Sequence, residues 1–102
     1  MLCALTVRQL EPGTFERFRD AFTQDFDEGS PPDGWVRFDM LRNVEDPDEV
    51  ICFGFFDGDR DALRAATGQD GRRDRQQDAI APFVRSVGAD GLYEIAVEYA
   101  AT

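Results

Sequence analysis

Four phenylalanines at helical spacing constrain the fold more than any other feature of this chain. Phe15, Phe18, Phe22 and Phe26 are separated by three, four and four residues. At about 100° per residue, their side chains fall within roughly 80° of arc and form one apolar stripe. The stripe predicts a helix that begins near Thr14, ends near residue 27 and packs against another apolar layer.

Four segments have the alternating or apolar pattern of β-strands and supply that layer. They span residues 2–7, 35–43, 49–56 and 92–99. In the second segment, one face carries Val36, Phe38 and Met40, and the other carries Arg37, Asp39 and Leu41. A turn at residues 45–48 separates the second and third segments, which therefore form a predicted hairpin. The glycine- and proline-rich stretch 28–34 is predicted to be a loop.

Two further helical patterns follow the hairpin. One spans residues 59–67, and the other follows a polar loop at 68–74 and continues to about Val87. Pro82 removes one backbone hydrogen bond, which predicts a kink or a new helix start near Ala81. The order of elements is β-α-β-β-α-β within a single domain, residues 1–102. This order is typical of the α+β ferredoxin-like fold, a four-stranded antiparallel sheet with helices on one face.

The segment at residues 49–56 is apolar on both faces, although helices cover only one face of the predicted sheet. Val50, Cys52 and Phe56 point to one side; Ile51, Phe53 and Phe55 point to the other. An uncovered apolar face on a chain of this size favours association. We therefore expect a homodimer that forms through the open sheet face.

Composition excludes several classes of chemistry. The chain contains no histidine, and all 11 basic residues are arginine. These absences exclude a Ser-His-Asp triad, histidine metal ligands, Schiff-base chemistry and a P-loop lysine. Cys3 and Cys52 both lie in apolar strand-like runs, which favours buried reduced thiols, with a disulfide as the alternative. Two cysteines without histidine do not indicate a zinc site, so no metal is expected.

The charge balance narrows the range of partners. A net charge of −10 repels phosphate backbones and anionic membranes, so nucleic acid and membrane are not expected as partners. No apolar run approaches about 18 residues, and the N-terminal segment lacks the pattern of a signal peptide. The expected location is the cytoplasm.

Three stretches, together with length and element order, carry a family resemblance that covers nearly the whole chain. They are Val7–Phe18 (VRQLEPGTFERF), Asp46–Asp57 (DPDEVICFGFFD) and the pair Ile80–Val84 and Gly91–Ile95 (IAPFV and GLYEI). In these stretches the chain resembles the antibiotic biosynthesis monooxygenase-like family, within the dimeric α/β-barrel superfamily.

The resemblance implies a dimeric α/β barrel and a range of activities. The family includes cofactor-independent monooxygenases acting on polycyclic aromatics, quinol oxidases and haem-degrading enzymes, and related branches bind small ligands or have no known activity. We therefore expect a cofactor-independent monooxygenase or oxidase whose small aromatic or quinone-like substrate is bound between helices and sheet. The alternative is a non-catalytic small-ligand-binding or stress-related dimer of the same fold.

The family's motif residues do not transfer to this chain, so no catalytic residue is assigned. Relatives often have a tryptophan where the second hairpin strand ends, and here Phe55 or Phe56 stands there. They often have a histidine on the short second helix, which here reads LRAAT at residues 63–67. The haem-degrading branch also needs an asparagine on the first strand, which here reads CALT at residues 3–6. Haem degradation of that type is therefore not expected.

Six residues are predicted to contact the substrate: Phe22, Trp35, Arg37, Phe38, Phe55 and Tyr93. Aromatic walls suit an aromatic ligand, and Arg37 would stabilise the negative charge of a phenolate or hydroperoxide. Each also has a structural alternative: core packing for the phenylalanines, packing or dimer contact for Trp35 and Tyr93, and a salt bridge for Arg37. The face of each strand residue depends on register, since a shift of one residue reverses it.

Overall fold

Four strands and three α-helices follow one another in the order β-α-β-β-α-α-β. The structure, a computed structural model, describes residues 1–26, 34–68 and 71–100. The elements are β1 (Leu2–Leu10), α1 (Phe15–Phe22), β2 (Trp35–Arg42), β3 (Glu49–Phe56), α2 (Arg60–Gly68), α3 (Arg72–Ile80), a 3-10 turn (Ala81–Phe83) and β4 (Val84–Glu94). No helix in these ranges is both long enough and apolar enough to cross a membrane.

The strands form one four-stranded sheet in the order β2-β3-β1-β4, and every neighbouring pair is antiparallel. In this register Thr6 is opposite Cys52, and Phe38 is opposite Gly54. This arrangement confirms the predicted ferredoxin-like fold, including the division of the second helical region into two helices. It also gives the face of each paired strand residue, because directly paired residues share a face.

The core lies on the face of the sheet that α1 and α3 cover, here called the helix face. From the sheet it contains Leu10 of β1 with Val50 and Cys52 of β3, and the helices contribute Phe18, Phe22 and Ile80. The phenylalanine stripe of α1 therefore packs as its spacing predicts. The opposite face, here called the open face, carries a row of apolar residues with no helix over them: Leu5, Val7, Leu41, Ile51, Phe53, Phe55 and Tyr93.

The predicted boundaries of the last helix and the last strand are wrong. α3 ends at Ile80 and β4 begins at Val84, so Val87 lies in a strand rather than in a helix. Pro82 explains the early end, because its ring and missing N–H do not fit a helix interior and a 3-10 turn forms instead. Gly91, which directly precedes the predicted last strand, is paired with Leu5 in the sheet.

Residues 95–99, predicted to complete the last strand, lie beyond it. Ile95 N–H still donates to the carbonyl of Met1 at 3.3 Å, but the ladder ends there. Val97 and Tyr99 are 84% and 98% exposed. Val97 and Tyr99, whose alternation predicts a buried strand face, are therefore not covered in the single chain.

The first elements also differ from prediction in length. β1 continues to Leu10, three residues beyond the predicted end, and α1 ends at Phe22. At that end, the Thr23 hydroxyl donates to the carbonyl of Arg19 at 2.8 Å. Residues 23–25 form turns and Phe26 lies in a short 3-10 segment. The predicted helix end near residue 27 and the predicted loop at 28–33 lie outside the described residues.

Candidate functional site

Four aromatic rings meet where α1 crosses the helix face of β2. Phe22 stacks on Phe38 with ring centroids 5.2 Å apart and planes inclined by 22°. Phe26 packs edge-on against both, at 6.0 Å from Phe22 and 5.3 Å from Phe38. Phe18 lies 5.7 Å from Phe22 on the inner side. We call Phe18, Phe22, Phe26 and Phe38 the phenylalanine cluster.

The phenylalanine cluster leads from solvent into the core. Phe26 and Phe38 are 44% and 37% exposed, whereas Phe22 is 6% exposed and Phe18 is fully buried. Exposed rings at the outer end are contiguous with buried rings at the inner end. A planar aromatic molecule can therefore contact the cluster from solvent by stacking on rings that are already accessible.

Arg8 of β1 lies at the inner end of the phenylalanine cluster and is 6% exposed. Its guanidinium carbon is 5.8 Å from the ring centroid of Phe18 and 5.7 Å from that of Phe22, which are cation–π distances. Its Nη1 is buried and has no hydrogen-bond partner within residues 1–26, 34–68 and 71–100. Among the described residues, no carboxylate forms an ion pair with Arg8.

Cys52 of β3 is the polar neighbour of Arg8 within the core. Burial raises the pKa of its thiol to about 11, although the charge of Arg8 and a hydrogen bond from Arg8 oppose that shift. The thiol is therefore neutral at physiological pH. It supplies no negative charge to Arg8, and a neutral buried thiol is a poor nucleophile.

Trp35 also lies on the helix face, because β2 is irregular at its start. The pairing of β2 with β3 shifts between Trp35 and Arg37, as at a β-bulge, so both Trp35 and Phe38 face the helices. The indole packs edge-on against Phe56 at 5.3 Å. It lies over Gly54, where an added Cβ would come within 2.7 Å of the indole ring. Glycine at this position leaves the space that the indole fills.

The structure divides the six predicted contacts between the two faces of the sheet. Phe22 and Phe38 belong to the phenylalanine cluster, and Trp35 lies on the same helix face. The other three lie on the open face: Arg37, Phe55 and Tyr93. They cannot line one pocket between helices and sheet together with Phe22, because the sheet itself separates them.

Arg37 differs most from its predicted role. It is exposed, and its Nε lies 2.7 Å from a carboxylate oxygen of Asp39 on the same strand. The hydrogen bond and charge of Asp39 raise the pKa of Arg37. Its charge is thus already paired at the surface. This pairing is the salt bridge that the sequence offered as the structural alternative for Arg37. The arginine inside the layer is Arg8, which is not among the six predicted contacts.

The sequence does contain a signal for Arg8. It is two residues from Leu10 and therefore shares the face of that fully buried side chain. An arginine in phase with core positions is unusual, since charged side chains are rarely buried without a partner. The signal was missed because β1 was predicted to end at residue 7.

The described residues contain no group of three or more histidine, cysteine, aspartate or glutamate side chains that could hold a metal ion.

Comparison with known proteins finds similarity in structure rather than in sequence. No family model and no curated protein sequence matches the chain. Solved structures do match over nearly the full length. SnoaB, a cofactor-independent oxygenase from Streptomyces nogalater, is 18% identical with a TM-score of 0.75, over 96% of this chain and 94% of that one.

Two further structures give the same result. A protein from Nitrosomonas europaea, provisionally named an antibiotic biosynthesis monooxygenase, is 17% identical with a TM-score of 0.74, over 92% of this chain and 97% of that one. Rv0793 from Mycobacterium tuberculosis is 15% identical with a TM-score of 0.74, over 97% and 98% of the two chains. This chain shares its fold with these structures. The resemblance seen in the sequence is thereby confirmed for the fold.

Within this fold, the chain places the phenylalanine cluster and Arg8 between helices and sheet. The fold alone does not carry an activity, so function has to be argued from these side chains. Around the phenylalanine cluster the layer offers stacking surfaces, the buried positive charge of Arg8 and the neutral thiol of Cys52. This combination suits the binding of a flat aromatic molecule better than proton transfer, since neither Arg8 nor Cys52 is an effective acid or base near neutral pH.

The buried thiol of Cys52 predicts a fall in stability at alkaline pH. An unfolded thiol has a pKa near 9.0 and the folded one a pKa of about 11, so the folded state retains the proton longer. Above about pH 9 the unfolded state binds fewer protons, and the free energy of unfolding decreases until about pH 11, by at most about 3 kcal/mol.

Urea unfolding at several pH values from 8 to 11 measures this slope. The Cys52→Ala variant is expected to have a shallower slope, and Cys3→Ala, the matched control, is expected to retain most of it. Equal slopes in the wild-type chain and Cys52→Ala would show that Cys52 is not the group responsible.

Proposed function

We propose that this protein is a cofactor-independent oxygenase that acts on a small aromatic or quinone-like substrate bound at the phenylalanine cluster. The observation that carries the proposal is the continuous path of rings from exposed Phe26 and Phe38 to buried Phe22. The fold shared with SnoaB, a cofactor-independent oxygenase, supports the reaction class.

Such a reaction requires no redox chemistry from the side chains of the protein. The substrate itself supplies the electrons and dioxygen is the oxidant. In the simplest case, a CH₂ group flanked by aromatic rings becomes a carbonyl: two C–H bonds break, one oxygen atom forms the C=O bond and the other leaves as water. The protein has to orient the substrate, exclude water and stabilise its reactive anion. The absence of histidine from the chain is compatible with this reaction.

The phenylalanine cluster suggests how a substrate is accommodated. Its rings already contact one another at 5.2 to 6.0 Å, so a ligand ring has to join or replace one of these contacts. Phe26 is the most exposed ring and lies beyond the end of α1, so we expect a ligand to displace it at the least cost. The ligand would then stack against Phe22 and Phe38.

The alternative function is a small-ligand-binding dimer without catalysis. It is favoured by the chemistry of the layer, where the described residues offer a neutral thiol and an arginine but no carboxylate that is paired with that arginine. Both functions use the same aromatic surface. They differ in whether bound substrate consumes oxygen.

We further propose a homodimer formed through the open face. Leu41 and Tyr93 there are each 47% exposed, and the rings of Phe53 and Phe55 pack edge-on at 5.6 Å beside them. An apolar surface shared by all four strands is expected to be covered in solution. A second copy would cover it with a self-complementary surface, as in most small homo-oligomers.

Oxygen uptake without added cofactor tests the oxygenase proposal. With a panel of anthrone-like and hydroquinone substrates, we expect uptake above the heat-denatured control. Phe38→Ala is expected to lower kcat/KM about tenfold through loss of a stacking surface. Tyr99→Ala, an aromatic substitution at a 98% exposed site, serves as the control and should leave uptake unchanged. Binding of these compounds without oxygen consumption would instead favour the non-catalytic function.

Sedimentation equilibrium tests the homodimer. We expect a dimer at micromolar concentration and a monomer for Phe53→Asp, because a charge at the centre of an apolar interface is costly to bury. Val44→Asp adds the same charge at a 99% exposed turn and should remain dimeric. A monomeric wild-type chain would refute the proposed interface, and circular dichroism checks that Phe53→Asp remains folded.

A further inference from the structure

We infer that Arg8 binds a negatively charged oxygen of the aromatic ligand, so that the site selects the anionic form of its substrate. This inference rests on the proposed ligand site at the phenylalanine cluster. It goes beyond that proposal by naming the charge of the ligand and the residue that recognises it.

Arg8 carries a buried positive charge that no carboxylate among the described residues neutralises. Arginine remains protonated in proteins, so a guanidinium cannot relieve burial by losing its proton. Burying a charge without a partner costs several kcal/mol. Here Cys52 is a neutral thiol, and among the described residues no carboxylate pairs with Arg8. The rings of Phe18 and Phe22 compensate only part of this cost, since a cation–π contact is weaker than a charge-assisted hydrogen bond.

The hydrogen bonding of the Arg8 guanidinium also points to a ligand. In the described part of the chain, Nη1 of Arg8 is a buried donor without an acceptor. Buried donors in native proteins nearly always have a hydrogen-bond partner. An unpaired buried donor therefore indicates a ligand, a water molecule or a specific function. An anionic oxygen would satisfy the hydrogen bond and neutralise the charge at the same time.

The guanidinium of Arg8 also lies beside the ring surface on which a ligand would stack. The guanidinium carbon is 5.7 Å from the centroid of Phe22, and Phe22 also contacts both exposed rings, Phe26 and Phe38. A ligand that stacks on Phe22 therefore lies beside the guanidinium. Stacking positions the aromatic ring, and Nη1 receives the oxygen substituent.

General electrostatic attraction does not explain a preference for anions in this protein. The chain carries a net charge of −10, which repels anions at long range. A preference for the anionic form of a ligand would therefore have to arise locally, and Arg8 is the buried cation at the phenylalanine cluster.

The chemical consequence is an increase in acidity of the bound ligand. For a bound phenol, the O–H bond breaks, the electron pair stays on oxygen next to Arg8 and the proton passes to solvent. No oxidant or reductant is needed. In an oxygenase, the same interaction would raise the population of the electron-rich anion that reacts with dioxygen.

The test uses 2-naphthol as the probe, because its absorbance reports ionisation. Titration with the full-length protein in excess is expected to give a pKa at least one unit below that of free 2-naphthol, which corresponds to about tenfold tighter binding of the anion. Arg8→Met keeps a long side chain without charge and should abolish the shift. Arg8→Lys should restore part of it. Arg37→Met, which removes an exposed arginine of the open face, should leave the shift unchanged.

A neutral analogue separates this inference from the function on which it rests. 2-Methoxynaphthalene cannot ionise, and its binding should be similar in the wild-type chain and in Arg8→Met. If it binds but the pKa of 2-naphthol does not fall in the wild-type chain, the inference about Arg8 is wrong and the aromatic site stands. If neither compound binds, the proposed ligand site itself is wrong. The wild-type titration decides between these outcomes even if Arg8→Met fails to fold.

Discussion

The packing of Phe18 and Phe22 on the helix face of β1 and β3 is the contact on which the rest of this structure depends. These two rings fix the rotation of α1 over the sheet, because both are buried against Leu10, Val50 and Cys52. Phe26, four residues beyond the end of α1, packs against Phe38 on β2 and extends the core to the surface as a row of rings. The stabilising layer of the domain and the candidate ligand site are thus one continuous structure.

A single departure from apolar packing in that layer gives the site its chemical character. Arg8 occupies a position on β1 that core packing would fill with an apolar residue, and the rings of Phe18 and Phe22 lie against its guanidinium. A layer of this kind favours flat aromatic ligands through stacking and favours negative charge at one end. The two preferences together match a phenolate or enolate, the form in which an aromatic substrate can react with dioxygen without a cofactor. Dimerisation through the open face would leave this layer unobstructed, since it lies on the other side of the sheet.

The sequence predicts those features that repeat with a regular period and misses those that depend on irregular backbone. The spacing of Phe18 and Phe22 and the two apolar faces of β3 predict the helix, the hairpin and the fold, because these patterns arise directly from helix and strand geometry. The pairing shift that places Trp35 on the helix face is not visible in the alternation of β2, which by itself places Trp35 beside Arg37. The first part of β4 was assigned to a helix and a turn rather than to the strand, because Gly88 and Gly91 in an edge strand resemble a helix end. In the structure Phe22, Trp35 and Phe38 lie on the helix face, whereas Arg37, Phe55 and Tyr93 lie on the open face.

A crystal structure of the protein with bound 2-naphthol at pH 8 tests the central claim most directly. The account predicts the naphthyl ring between α1 and β2, stacked on Phe22 and Phe38, with its oxygen within about 3.2 Å of Nη1 of Arg8. It also predicts that Phe26 moves away from its edge-on contact with Phe38. A ligand bound on the open face, against Phe53 and Phe55, would contradict the account, because the phenylalanine cluster would then be structural core alone.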